Sequence, residues 1–175
     1  MNDYLQELTT AKAPELIPVL SEEAIQRKVA RLARRISVDY QTQSLLLIGV
    51  LKGAFVFLSD LIRRLTIPVE IDFIQLSSYG RSNISCGEVS FQSSISADLQ
   101  GKSLLIVEDI IDTGLTMTHL VKHLKQCSPE SIGVCTLIDK YERREVAFEA
   151  DYVCHGVKRA QRVERTRNRS PGNLH

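Results

Sequence analysis

No apolar run in this 175-residue chain approaches the roughly 20 residues that a helix needs to cross a bilayer, so no membrane span is expected. The opening Met1-Asn2-Asp3-Tyr4 has neither the basic start nor the apolar centre of a secretory signal, and a cytoplasmic protein is expected. The four cysteines, Cys86, Cys127, Cys135 and Cys154, form no CxxC pair and are too sparse for a disulfide scaffold. Reduced, mostly buried thiols fit them. Two common nucleotide-binding loops are also missing: neither GxxxxGK followed by Ser or Thr, nor GxGxxG, occurs. What remains is 43% hydrophobic and 25% charged, the composition of one soluble globular domain with a real core. Net charge is +1, but residues 155–175 hold Lys158, Arg159, Arg162, Arg165, Arg167 and Arg169 against the single acid Glu164. That segment carries +5, which leaves −4 on residues 1–154. Such asymmetry can mark a nucleic-acid-binding arm.

Along the chain, apolar periodicity alternates between two kinds. Ser21-Glu22-Glu23 offers a capping hydroxyl and two acids ahead of Ile25, Val29, Leu32, Ala33 and Ile36, one face of a helix ending near Ser37. Ser44 to Val50 is continuously apolar, as expected of a strand buried on both faces. Leu51-Lys52-Gly53 breaks it, and Phe57, Leu58, Leu61, Ile62 and Leu65 then recur at helical spacing until Pro68. Val69 to Leu76 alternates like a strand with one partly polar face, and Ser77 to Phe91 reads as a long loop or a hairpin around Cys86-Gly87. Gly101 to Asp109 is the next buried strand; Met117, Leu120, Val121 and Leu124 mark a helix that Pro129 ends. Ile132 to Ile138 is another buried strand, and Phe148 to Cys154 a short last one. The pattern predicts an α/β fold with a largely parallel central sheet flanked by helices. Ligands in such sheets sit beyond the carboxyl ends of the strands, where both Lys52-Gly53 and Glu108-Asp109 fall.

The richest stretch is Val107 to Thr116, V-E-D-I-I-D-T-G-L-T. An apolar strand delivers Glu108, Asp109 and Asp112 to one spot, followed by Thr113-Gly114-Leu115-Thr116 at the mouth of a helix. Crowded carboxylates need a metal, hydroxyls or a cation to offset their repulsion. Backbone amides and hydroxyls at a helix N-terminus suit a phosphate. A capped strand-to-helix turn would need only Asp112, which leaves two acids and two threonines in excess. Together these groups point to a phosphorylated sugar. His119 and His123 are spaced for joint metal binding, but they lie opposite the apolar helix face with no third ligand, and a solvated face explains them better.

The Val107–Thr116 run resembles the phosphoribosyl pyrophosphate (PRPP) motif of type I phosphoribosyltransferases. Leu51-Lys52-Gly53, Ser77-Ser78-Tyr79-Gly80 and Leu137-Ile138-Asp139-Lys140 narrow the resemblance to the hypoxanthine phosphoribosyltransferases, over about residues 15–154. The resemblance implies transfer of a 5-phosphoribosyl group from PRPP to hypoxanthine or guanine, with Mg2+ as cofactor. It implies that Glu108 and Asp109 hold the ribose hydroxyls and, through water, the metal; that Asp112 is the general base facing purine N7; and that Thr113, Gly114, Leu115 and Thr116 cradle the 5′-phosphate. It assigns Lys52 and Gly53 to pyrophosphate, through a peptide entering Lys52 that is often cis in the family and is expected to be cis here, and Lys140 to the purine O6. Ser78 and Tyr79 would open a long mobile loop that closes over PRPP and excludes water. Taken without the family, Lys52 and Lys140 would read as solvated lysines in a turn and at a strand end. Homodimers or homotetramers are common in the family.

The C-terminal stretch departs from the family. Its members continue past the last strand with an apolar, Gly-rich segment that supplies a purine-stacking aromatic, a metal-binding acid and an arginine for pyrophosphate. His155-Gly156-Val157-Lys158-Arg159-Ala160-Gln161-Arg162 and the residues beyond do not match it, and no aromatic follows Tyr152. The expectation is a phosphoribosyltransferase domain over residues 1–154 and a basic, disordered tail over 155–175. A reading-frame change near Cys154 is the preferred origin of that tail, with a tail evolved to bind a polyanion as the other. The leading reading is a purine-salvage transferase whose activity the tail impairs; nucleic acid is not expected as a partner. The rival is a non-catalytic PRPP or nucleotide sensor on the same fold with a nucleic-acid-binding tail, against which Asp112 argues because a sensor needs no proton acceptor. An adenine or xanthine enzyme is a weaker option, the first disfavoured by Lys140.

Overall fold

The computed structural model describes residues 21–77, 90–91 and 95–157. The first described element is α1 (Glu22–Asp39), whose first turn is capped as the sequence requires: the Ala24 N–H donates to Ser21 Oγ at 3.2 Å. It runs two residues past the expected end, because Tyr40 still donates its N–H to Ile36 O and buries its ring. β1 (Leu45–Leu51) follows, then α2 (Phe55–Ile62), β2 (Val69–Ser77), β3 (Ser90–Phe91), β4 (Ser103–Ile111), α3 (Leu115–Lys125), β5 (Ser131–Lys140), a single 3-10 turn (Tyr141–Arg143) and β6 (Tyr152–Val157).

These strands form one sheet in the order β3-β2-β1-β4-β5-β6. Five are parallel, and β3 adds an antiparallel edge through the pairs Leu76↔Phe91 and Ser77↔Ser90. These pairs bracket residues 78–89, so both expectations for that stretch, the long loop and the hairpin around Cys86-Gly87, fall outside the described residues. Ser78, Tyr79 and Cys86 lie outside the described residues, and so does the loop expected after Ser77.

Both sheet faces are covered, which is why β1 and β4 read as unbroken apolar runs. Val29, Leu32, Ala33 and Ile36 of α1 and Phe57, Leu58 and Leu61 of α2 pack on Leu45, Leu47, Leu105, Val107 and Cys135. Met117, Leu120 and Leu124 of α3, with Leu99, pack on Leu46, Ile48, Leu104, Ile106 and Val134. Strand order reverses between β1 and β4, since β2 lies on one side of β1 and β4 on the other. At such a switch point the flanking connections diverge and leave a crevice beyond the carboxyl ends of the strands.

The last strand differs from expectation at both ends. Phe148 and Ala150 are not in it; they pack from a loop onto the core beneath α3. Pairing begins only where Asp151 locks on, its N–H donating to Val134 O at 2.9 Å and its carboxylate accepting from the Val134 N–H at 2.8 Å. The strand then crosses the boundary drawn at residue 154, pairing His155, Gly156 and Val157 with Ile138, Asp139 and Lys140. It is tied to α1 through Tyr152 Oη to Asp39 at 2.8 Å and Lys28 Nζ to His155 Nδ1 at 2.9 Å.

Candidate active site

β4 is longer than its apolar run suggests. Hydrogen bonding to β5 continues through Glu108↔Thr136 to Ile111↔Asp139, so the strand expected to end at Asp109 holds both acids and runs two residues further. Adjacent strand residues point to opposite sides, and the two acids divide accordingly. Glu108 lines a hollow of about 170 Å3 together with Ile110, Ile111, Asp112, Thr113, Gly114, Thr116 and Met117. Asp109 faces the other way, against the turn after β1: a β-carbon at Gly53 would overlap its carboxylate. Only glycine allows that approach, which brings the Lys52-Gly53 turn and the acidic strand end together at the switch point. The Leu51–Lys52 peptide is cis, as expected.

Burial pushes the Glu108 carboxyl up to about 8, with the Asp109 carboxylate beside it contributing in the same direction. The Asp109 backbone N–H donates to Glu108 Oε1 at 3.0 Å and partly opposes this rise. A partly dehydrated acid of this kind gains from hydroxyl donors or a cation placed in the hollow. Asp112 presents Oδ2 to Arg143 Nη1 at 3.1 Å, while its Oδ1 is buried without a hydrogen-bond partner among the described residues.

The turn that follows is set by Gly114, whose φ of 84° lies in the left-handed region that favours glycine. The Leu115 N–H donates to Thr113 Oγ1 at 3.4 Å, and the first bond of α3 runs from the Thr118 N–H to Gly114 O at 3.0 Å. The amides of Thr116 and Met117 precede that bond and have no intrahelical acceptor, an arrangement suited to an anion. Leu115 contributes its backbone; its side chain is exposed. Lys140 ends β5, half-buried and paired in register with Val157, but it does not line the hollow. His119 and His123 are exposed on α3, and among the described residues no three His, Cys, Asp or Glu side chains group into a metal cage.

Comparison with known families matches residues 19–164 to the phosphoribosyl transferase domain. The hypoxanthine-guanine phosphoribosyltransferase of Bacillus subtilis is 42% identical over 135 residues, which are 77% of this chain and 75% of that protein. The chain belongs to the hypoxanthine-guanine phosphoribosyltransferase family. A crystal structure of the Bacillus anthracis hypoxanthine-guanine phosphoribosyltransferase superposes with a TM-score of 0.77 at 42% identity, covering 81% of this chain and 84% of that one. The fold and motif are those of a glycosyltransferase of purine salvage. The bifunctional protein TilS/HprT of Listeria innocua is also 42% identical over 135 residues, but the chain spans only 21% of its length.

Three members of the site were not found from sequence. Ile110 is 41% exposed and gives the acid-lined hollow an apolar wall; in the sequence it is one more aliphatic in a strand. Arg143, exposed, reaches Asp112, and Arg144, largely but not fully covered, pairs with the fully buried Asp139. An acid at the end of an apolar strand signals that some cation must meet it, but Lys140, Arg143 and Arg144 were equal candidates on spacing alone.

Proposed function

We propose that this chain transfers the 5-phosphoribosyl group of PRPP to N9 of hypoxanthine or guanine, giving IMP or GMP and pyrophosphate. The observation behind this reading is the gathering of Glu108, Asp112, Thr113, Gly114 and Thr116 around one hollow, with Gly53 of the Lys52-Gly53 turn held against Asp109 across the switch point. In the reaction the C1–O bond to pyrophosphate breaks as N9 forms its bond to C1, and the purine loses a proton. Positive charge builds on the ribose, and Glu108, with Asp109 behind it, accepts hydrogen bonds from the ribose hydroxyls. Asp112 takes the proton at N7 as general base and returns it in the reverse direction. The free amides at the start of α3, with Thr113 and Thr116, hold the 5′-phosphate and so fix C1 relative to the base. Lys52 and Gly53 bind the departing pyrophosphate. Ile110 offers the purine an apolar contact, and Lys140 donates to O6, which selects 6-oxopurines. Ser78 and Tyr79 complete the PRPP site.

The donor set fits Mg2+. A cation that keeps most of its waters and is shared with a diphosphate needs only one or two protein carboxylates, and the raised Glu108 beside Asp109 gains from positive charge. Glu108 and Asp109 would hold the ion through water. When bound, it neutralises the charge that develops on pyrophosphate.

Residues 158–175 lie outside the described residues; their sequence holds no aromatic and does not match the family's apolar, Gly-rich segment, so we propose reduced base affinity. A missing stacking partner costs on the order of 1–3 kcal/mol at nucleobase sites. A cytoplasmic homodimer or homotetramer is the assembly this reading favours. The test is an assay with PRPP, Mg2+ and each 6-oxopurine, beside Asp112→Asn. Formation of IMP or GMP, lost in the variant, supports the proposal; equal rates in parent and variant remove the general base from it.

A further inference from the structure

Beyond β5 the chain turns back across the N-terminus of α3, and its contacts there converge on the Thr113-Gly114 turn. The Glu145 N–H donates to Thr113 O at 2.9 Å. A β-carbon on Gly114 would lie 2.9 Å from Arg144 Cδ, 3.1 Å from Arg144 Nη1 and 3.1 Å from Val146 Cγ2, so the arginine stem and one guanidinium nitrogen rest directly on that glycine. Arg144 Nη2 donates to Asp139 Oδ1 in a pair whose side chains are 12% and 0% exposed. Phe148 lies against the guanidinium, 5.8 Å from its carbon to the ring centroid. The pair is not fully satisfied: Arg144 Nε and Nη1 and Asp139 Oδ2 are buried without hydrogen-bond partners among the described residues.

A buried ion pair of this kind is a poor stabiliser; an apolar pair of the same volume usually serves as well or better. Its placement has another use. The guanidinium has donors left over, and one of them, Nη1, sits against Gly114 in the turn that opens α3. Its partner Asp139 immediately precedes Lys140 on β5.

We propose that Arg144 is the positioning residue of the phosphate turn. It holds Gly114 in its left-handed conformation, sets positive charge behind the turn, and ties that turn through Asp139 to the strand end bearing the purine-side lysine. Naming the anion as a 5′-phosphate rests on the function proposed above; the mechanical role does not.

Two measurements on the full chain separate the two. Inosine and inosine 5′-monophosphate are titrated against the parent, Arg144→Met and Arg144→Lys. Arg144→Met weakens the monophosphate about tenfold or more and the nucleoside about twofold or less, the size of one lost charge-assisted contact. Arg144→Lys, which keeps the charge but not the planar fork, moves the same way by about threefold. In the ligand-free proteins, exchange of the Glu145 and Thr118 amides, which bond Thr113 O and Gly114 O, accelerates about tenfold in Arg144→Met relative to amides of Leu104–Val107. An unchanged ratio of the two affinities with parent-like exchange in both variants overturns the proposal, as does acceleration spread evenly over the domain. If the parent binds neither ligand, the functional reading fails, and the exchange pattern alone decides this inference; should Arg144→Met not fold, Arg144→Lys decides it by the same criteria.

Discussion

The β4–α3 junction and the stretch from Lys140 to Val157 meet at the Arg143–Asp112 pair and at Gly114 but are built on different plans. The junction is local: ten consecutive residues, Val107 to Thr116, supply two acids in a strand, a general-base candidate and an anion-binding turn. The second region is assembled from afar. It draws on β5, the Tyr141–Arg143 turn, the Arg144–Asp139 pair and β6, itself anchored to α1 through Lys28 and Asp39. Phosphate and ribose can be gripped by backbone and carboxylates in one turn of chain, because those ligands ask for charge and hydrogen bonds. A purine asks for flat apolar contact as well, and among the described residues the hollow offers the exposed Ile110 for it under the proposed reading. A chain altered after its last strand should thus keep the sugar-phosphate half of its chemistry better than the base half.

The comparison breaks most sharply at Asp112, where the two halves meet. Asp112→Asn lowers kcat by about 10²–10³-fold while leaving PRPP affinity near the parent value, read from steady-state kinetics beside a PRPP titration. Equal losses in both would move Asp112 into the sugar half. Gly114→Ala should damage the junction itself: a residue at a φ of 84° that meets Arg144 and Val146 loses about 2–3 kcal/mol of stability, measured from urea midpoints, and weakens PRPP binding. Lys140→Met sharpens the other side, raising the KM for hypoxanthine about tenfold with the KM for PRPP unchanged; a uniform rise in both would contradict a base-specific role.

A smaller effect follows from Glu108. Its folded-state value of about 8 lies above the ordinary 4.5, so the folded protein holds a proton there that the unfolded chain releases. Stability from this group is full below about 4.5 and is lost as pH rises through about 8. Glu108→Gln removes that loss, and its Tm should exceed the parent's by a few degrees at pH 8.5 while matching it near pH 4. The reverse order at pH 8.5 would show that the acid is stabilised as a carboxylate. The smallest effect is expected from deleting residues 158–175, which should leave PRPP binding unchanged. A salt-dependent shift of labelled RNA by the parent, lost on deletion, would instead favour the sensor reading.

The layers of the fold were legible because continuous apolar runs such as Leu45–Val50 arise only where both sheet faces are covered. Helix α1 was legible to its cap, since Ser21 and the two glutamates signal a start wherever they precede an apolar stripe. The carboxyl ends of strands were not. The strand read as ending at Asp109 runs on through Ile110 and Ile111, because β5 continues alongside to Lys140. Similarly, Phe148 and Ala150 looked like strand residues, although they fill the core from a loop, and the strand begins with Asp151 gripping Val134. Within the site, residue identities in the Val107–Thr116 run pointed to phosphate and sugar, since that chemistry is contiguous. The Gly53–Asp109 approach and the Arg144–Asp139 pair were not legible, because each joins elements whose proximity only the sheet order creates.

The most direct test of the account is a calorimetric titration of PRPP with the full chain, with and without Mg2+, repeated on Gly114→Ala. The account predicts saturable one-site association that tightens at least about tenfold with the metal and weakens in the variant. Association indifferent to both Mg2+ and Gly114, or none under any condition, would contradict it.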